Sequence, residues 1–165
     1  MNGKIIVLTG DGKGKTTSAF GMAVRASGHG KKVVIVQFLK KGIYGEIKTK
    51  IKNVEIHQFG RKEFIFEPEE EDYELAEKAI EFSLNALEKQ PFMLILDEIN
   101  VALSIGLVKL EEVMKLIDKR GKTHIVLTGR GAHPKIIKYA DIVTEMKNIK
   151  HYYNEGVKAI EGIEY

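Results

Sequence analysis

Thr9-Gly10-Asp11-Gly12-Lys13-Gly14-Lys15-Thr16-Thr17 decides how this sequence is read. An apolar run, Lys4 to Thr9, leads into it, and a stretch of helical spacing, Thr16 to Ser27, leaves it and stops before Gly28. Strand, glycine-rich turn and helix are the context of a phosphate-binding loop, and the pattern G-x-x-x-x-G-K-[ST] is met from Gly14 onward, with Thr9 at its first glycine. Glycines let successive backbone N–H groups converge on one concavity, and a helix N-terminus adds partial positive charge where an anion would sit. Lys15 supplies a mobile point charge and Thr16 a hydroxyl placed for Mg²⁺. A β-branched residue avoids positive φ, so Gly10 is expected to make the turn that Thr9 cannot. A turn that only joins strand to helix would not need this context.

Outward from the loop, short β-branched runs recur at Lys32 to Phe38, Asn53 to Phe59, Phe92 to Asp97, Thr123 to Thr128 and Ala140 to Met146. They are nearly continuous in Val, Ile and Leu, which predicts strands buried on both faces of a parallel sheet. Between them, Tyr73, Ala76, Ile80, Leu84 and Leu87 recur at helical spacing, as do Leu110, Val113, Met114 and Ile117 before Gly121. The alternation predicts an α/β class: a three-layer domain with a mainly parallel central sheet, residues 1–165 forming one domain. The stretches Leu39 to Lys52 and Gly60 to Asp72 are irregular. Ligands of open α/β sheets lie beyond the carboxyl ends of the strands, so both are candidates for substrate contact.

Composition narrows the function. With 165 residues, 44% hydrophobic and 30% charged, the chain is an ordinary globular one that needs no covalent staple. It has 0 cysteines, which excludes disulfide frameworks, zinc-thiolate sites and iron–sulfur clusters. Lys and Arg number 26 against 23 Asp and Glu, and the signs are interspersed, so a nucleic-acid partner is not expected. No apolar run is long enough for a membrane span, and Met1 leads almost directly into a strand. A cytoplasmic protein without membrane contact is the expectation.

The second chemical signal is Phe92-Met93-Leu94-Ile95-Leu96-Asp97-Glu98, an apolar strand ending in two carboxylates. Mg²⁺ takes oxygen ligands, so Thr16 together with Glu98 or Asp97 is a candidate metal set. The alternative is a pair of acids capping a helix that starts near Asn100. Thr128-Gly129-Arg130-Gly131-Ala132-His133-Pro134 follows another strand, which brings Arg130 to the sheet edge of Lys15 and Glu98 as a clamp for phosphate, or else into a surface turn. Phe64 and Phe66, beside Arg61 and Lys62, are candidates to pack on a flat apolar ligand, with the core as their other destination. Glu67-Pro68-Glu69-Glu70-Glu71-Asp72 reads as a solvated helix N-terminus, and the histidines are not spaced as a metal site.

Taken in order, Gly10 to Gly21, Val36-Gln37-Phe38-Leu39-Lys40, Gly45-Glu46, Leu96-Asp97-Glu98, Thr128-Gly129-Arg130-Gly131, Ala140-Asp141, Gly156-Val157-Lys158-Ala159 and Gly162-Ile163-Glu164-Tyr165 resemble the ATP:corrinoid adenosyltransferases of the bacterial cobalamin-pathway type. The resemblance covers nearly the whole chain and implies a three-layer P-loop NTPase fold of the RecA-like kind. It implies transfer of the 5′-deoxyadenosyl group of ATP to cobalt(I) of a corrinoid, with release of triphosphate and with ATP lying reversed in its loop. It implies Thr9, Gly10, Asp11, Gly12, Lys13, Gly14, Lys15, Thr16 and Thr17 at the triphosphate, and Mg²⁺ near Thr16 and Glu98. Lys13, Lys15 and Arg130 are the expected charge-stabilising catalytic residues, and Phe64 and Phe66 the expected corrinoid contacts. The expected partners are the small-molecule substrates, a second copy in a homodimer and a reductase supplying cobalt(I). Members of that family carry a longer N-terminal cover and tend to have tryptophan in the loop matching Gly60 to Phe66; this chain has 0 tryptophans, and the C-terminal stretch from Lys150 to Tyr165 is the other candidate lid. The residues by themselves leave open an ATPase or kinase acting at the γ-phosphate, and a non-catalytic nucleotide-binding module.

Overall fold

The computed structural model describes residues 2–42, 44–61 and 67–165. The strands are β1 (Ile5–Thr9), β2 (Val33–Phe38), β3 (Val54–Phe59), β4 (Met93–Asp97), β5 (His124–Thr128) and β6 (Ile142–Glu145). They form one sheet in the order β3-β2-β4-β5-β1-β6, and every neighbouring pair is parallel. One strand, β5, stands between the phosphate-loop strand and the acid-bearing strand, which is the RecA-like arrangement expected. The helices are α1 (Lys15–Gly28), α2 (Gly45–Lys48), α3 (Glu70–Glu88), α4 (Ile99–Ser104), α5 (Leu110–Asp118) and α6 (Pro134–Tyr139).

Side chains of a strand alternate between faces, and that alternation sorts the core into two layers. Ile6, Leu8, Val33, Ile35, Met93, Ile95 and Val126 pack with Ala19, Phe20, Ala23 and Ala26 of α1. Ile5, Val7, Val36, Phe38, Leu94, Leu96, Ile125 and Leu127 face the other way, onto α3, α4, α5 and α6. Small residues on α1 let it lie close to the sheet, so its N-terminus is held at the carboxyl edge.

The edges depart from the expectation of uniformly buried strands. Every residue of β6 is exposed, with Ile142 at 52% and Val143 at 42%. Most of β3 is half-buried. A Val/Ile run looks the same in an edge strand as in a central one; only neighbours decide its burial. β6 is tied to β1 by Asp141, whose carboxylate accepts from the Ile5 N–H at 2.8 Å and from Lys4 Nζ at 2.9 Å. The acidic run before α3 also departs from a solvated terminus. Asp72 is buried and takes a two-pronged bond from Arg61, with Nε at 2.8 Å and Nη2 at 2.7 Å, while Arg61 Nη1 reaches Glu69 at 2.7 Å. Arg61 therefore fixes the start of α3.

Candidate active site

The same alternation builds the site. Gln37, Asp97 and Gln58 continue the face of Ile35, Ile95 and Ile56, and Gln37 stands in register with both Asp97 and Gln58. Thr128 continues the face of Val126 on β5, the neighbour of β4. Where each apolar strand ends, the α1 face therefore turns polar, and the polar groups form a row across four strands. Gln58 Nε2 donates to Gln37 Oε1 at 2.9 Å, Gln37 Nε2 to Asp97 Oδ2 at 3.1 Å, and Thr128 Oγ1 to Asp97 Oδ1 at 2.6 Å.

Asp97 is 0% exposed and its carboxylate is saturated. Besides Gln37 and Thr128 it accepts from Thr16 Oγ1 at 2.8 Å and from Lys40 Nζ at 2.8 Å. Burial alone would raise its pKa, but Lys40 and the hydroxyls of Thr128 and Thr16 outweigh it and hold Asp97 below the usual carboxylate range. Asp97 is thus the residue that aims the Thr16 hydroxyl. Glu98 is different. It sits in the left-handed region at φ 64°, its N–H donates to Thr128 Oγ1 at 3.0 Å, and its side chain is 24% exposed in the cleft. Burial raises the Glu98 pKa, with Asp97 adding to the rise and Lys40 and Lys15 opposing it.

The loop between β1 and α1 behaves as its glycines require. Thr9 ends the strand, and Gly10 takes the positive φ of 96°, as expected of it. The Thr9 hydroxyl accepts from the Ala132 N–H at 3.3 Å rather than facing the cleft, and the Thr9 carbonyl accepts from the Met146 N–H at 2.8 Å. Gly12 N–H is likewise taken by the Met146 carbonyl at 2.7 Å. A Cβ at Gly12 would meet the Lys147 backbone at 2.7 Å, so the exit of β6 and the loop fit only with glycine there. Gly14, at φ 114°, opens α1, and no side chain caps that helix start among the described residues. Its first amides are therefore available to an anion. Lys15 Nζ lies across the loop, 2.7 Å from both the Gly10 and Gly12 carbonyls. Burial lowers its pKa, and the nearby charges of Arg130 and Lys40 act in the same direction.

A cleft of 490 Å³ opens over this loop, lined by Lys13, Lys15, Thr16, Thr17, Glu98 and Lys40 among others. Tyr44, Gly45 and Glu46 form part of its wall, as do Gly162 to Tyr165, so one of the irregular stretches and the C-terminal stretch both reach it. Asp11 and Arg130 are not among its lining residues; Arg130 Nε stands 3.8 Å from Asp11 Oδ1, and the Arg130 side chain is 68% exposed. The tail is held by a hydrogen bond from the Tyr152 hydroxyl to Glu164 and by the Ile160 N–H, 2.7 Å from the other Glu164 oxygen. Phe64, Phe66 and Lys62 lie outside the described residues.

Lys40 and Gln37 stand in a motif of the resemblance, but the sequence assigned neither a role, and Gln58 carried no sequence signal that was read. Period-two counting along β2 and β3 carries a signal for the two glutamines: polar residues on an otherwise apolar inner face, one step before the strand end. The donors present suit a hard divalent ion. Thr16 offers a hydroxyl oxygen and Glu98 a carboxylate, and a nucleotide would bring phosphate oxygens. Among the described residues, no group of three His, Cys, Asp or Glu side chains makes a metal site without such help.

Comparison with known proteins decides the family. The profile described as "ATP:corrinoid adenosyltransferase BtuR/CobO/CobP" matches residues 1–165. The chain belongs to the ATP:corrinoid adenosyltransferase family. The corrinoid adenosyltransferase of Pseudomonas aeruginosa is 37% identical over 99% of this chain and 84% of its own length. That of Escherichia coli K12 is 38% identical over 99% of this chain and 86% of its own. Among solved structures, the BceF tyrosine kinase domain matches 76% of this chain and 69% of its own at 14% identity and a TM-score of 0.42. Of the motifs named from the sequence, four begin at or span the ends of β1, β2, β4 and β5, Gly45-Glu46 opens α2, and Gly162 to Tyr165 lines the cleft, while Ala140-Asp141 lies just before β6 and Gly156 to Ala159 lies outside the cleft lining.

Proposed function

We propose that this protein transfers the 5′-deoxyadenosyl group of ATP to cobalt(I) of a reduced corrinoid, as one P-loop domain over residues 1–165. The observation that carries the reading is the whole-length family match, joined to a cleft over the uncapped start of α1 that Lys13 and Lys15 line. Cobalt(I) is the nucleophile. Its electron pair forms the bond to C5′, the C5′–O bond breaks, and triphosphate leaves with that bond's electrons while cobalt becomes formally cobalt(III). No protein nucleophile or general base enters.

The chain's work is placement and charge stabilisation. The uncapped start of α1 receives the triphosphate. Lys15 turns from the Gly10 and Gly12 carbonyls to phosphate oxygens, and Lys13 and Arg130 close on them. Mg²⁺, held by Thr16 and Glu98, would neutralise part of the charge on the leaving triphosphate. Asp97 keeps the Thr16 oxygen turned to the cleft. The corrinoid lies over the carboxyl edge, with Phe64 and Phe66 excluding water from the cobalt. A homodimer, a separate reductase supplying cobalt(I) and a cytoplasmic location complete the reading. No helix among the described residues is long and apolar enough to cross a membrane.

Anaerobic incubation with ATP, Mg²⁺ and chemically reduced cobalamin tests it. The absorbance of a cobalt–carbon product should grow with protein concentration. A spectrum that stays that of reduced cobalamin, with folded protein and bound ATP, would refute the assignment.

A further inference from the structure

Lys40 occupies the position that the metal reading reserves for a divalent ion. Its ammonium stands 2.8 Å from Asp97 Oδ2, 3.2 Å from Thr16 Oγ1 and 3.6 Å from Glu98 Oε1. The Thr16 hydroxyl spends its one hydrogen on Asp97, so its lone pairs face Lys40, as they would face a metal. The backbone around Lys40 is built to hold it there. Leu39 is in the left-handed region at φ 61°, which an apolar residue adopts only under constraint. Its N–H donates to the Phe59 carbonyl at 3.0 Å, and Gly42 N–H donates to Gln58 Oε1 at 3.2 Å, so β3 ties the chain on both sides of Lys40. Gly60 passes so close that a Cβ there would stand 2.3 Å from the Lys40 backbone nitrogen. The lysine is 21% exposed toward the cleft, which gives it a way out.

We infer that Lys40 is a resident counter-ion that closes the Thr16–Asp97–Glu98 oxygens to a bare divalent cation and yields them only to a cation that arrives with a polyphosphate. One oxygen set cannot hold an ammonium and a divalent ion together, because like charges at such separations repel strongly in a partly buried site. A triphosphate in the loop reverses the balance: it supplies negative charge to receive the displaced ammonium and oxygens to complete the metal's shell. The inference rests on the metal reading of Thr16 and Glu98, and goes beyond it by assigning the order of entry.

The test is Mn²⁺ binding to the full chain, followed without nucleotide by the loss of the free-ion electron paramagnetic resonance signal and, with ATP, by the rise in water-proton relaxation that a protein-bound Mn²⁺–ATP complex gives over Mn²⁺–ATP alone. Without nucleotide, wild-type protein and Lys40→Arg should bind Mn²⁺ weakly, and Lys40→Met should bind it on the order of tenfold or more tightly. With ATP, wild type should bind it well. Because Lys40→Met leaves Asp97 buried without a counter-charge, the same comparison is made between Lys40→Met/Asp97→Asn and Asp97→Asn alone, and the double variant should again bind more tightly. If wild type binds Mn²⁺ with ATP but removing Lys40 gains nothing in either background, the counter-ion role is wrong and the metal site stands. If neither ATP nor loss of Lys40 creates a Mn²⁺ site, both readings fall.

Discussion

Asp97→Asn should cost stability before it costs chemistry. The substitution keeps the shape and removes the charge. Asp97 is 0% exposed and accepts four hydrogen bonds, from Thr16, Thr128, Gln37 and Lys40. An asparagine can keep two of them through its oxygen. Its NH₂ then faces the Gln37 amide and the Lys40 ammonium, and both are donors. Breaking a buried ion pair by removing one partner costs about 3–5 kcal/mol. Lys40 is 21% exposed and can turn toward Glu98, 3.6 Å away, so the lower end, about 3 kcal/mol, is expected. For a chain of this size that corresponds to a fall in Tm of roughly 6–12 °C. Thermal denaturation without nucleotide or metal reads it directly. The pH dependence follows from the depressed pKa of Asp97. Its contribution is present above the unfolded carboxylate value, near about 4, and is lost as pH falls through the lower folded value. The gap between wild type and variant should therefore close in acid. A Tm difference under about 2 °C at neutral pH, or a gap that does not change with acid, would show that the row of polar groups is not a framework.

Lys15→Ala should fold and lose on the order of 100- to 1000-fold in adenosylation rate; near-normal turnover would remove the phosphate loop from the account. Glu98→Gln should leave Tm almost unchanged but raise the Mg²⁺ concentration needed for half-maximal turnover by at least roughly tenfold, and an unaltered metal dependence would take Glu98 away from the metal. Gly60→Ala adds a Cβ 2.3 Å from the Lys40 nitrogen and 2.4 Å from the Leu39 carbonyl carbon, both backbone atoms that cannot rotate away. Relief requires a shift of about 1 Å, a misplacement that costs catalysis roughly 100-fold, with about 1–3 kcal/mol of stability; unchanged kinetics and unchanged Tm would mean that the exits of β2 and β3 are freely adjustable.

Much of this was legible in the residues, for identifiable reasons. The phosphate loop was readable because glycine, lysine and threonine are each required there by geometry or charge, and β4 because its apolar run ends abruptly in Asp97-Glu98. The division of labour between those two acids was not. It depends on Asp97 continuing the α1 face while Glu98 turns away in a left-handed conformation, and no residue type announces that turn in glutamate. Lys40 was hidden for a related reason. It lies in a Lys- and Gly-rich stretch that reads as a candidate for substrate contact without singling out any one lysine, and the strained Leu39 and the approach of Gly60 are what return its side chain to the site. The exposure of β6 was equally invisible, since burial of a Val/Ile run is set by what packs on it. Of the short helices, α4 was foreshadowed by Asn100 alone and α6 lay in what read as a surface turn, because six residues are too few to show a period.

The central claim is that the bond broken is C5′–O of ATP and not a phosphoanhydride. Phosphorus NMR of the products, from anaerobic reactions with and without reduced corrinoid, distinguishes the two. Intact triphosphate should appear in step with the adenosylated corrinoid, and only when corrinoid is present. ADP and inorganic phosphate as the main products, formed whether or not corrinoid is added, would contradict it.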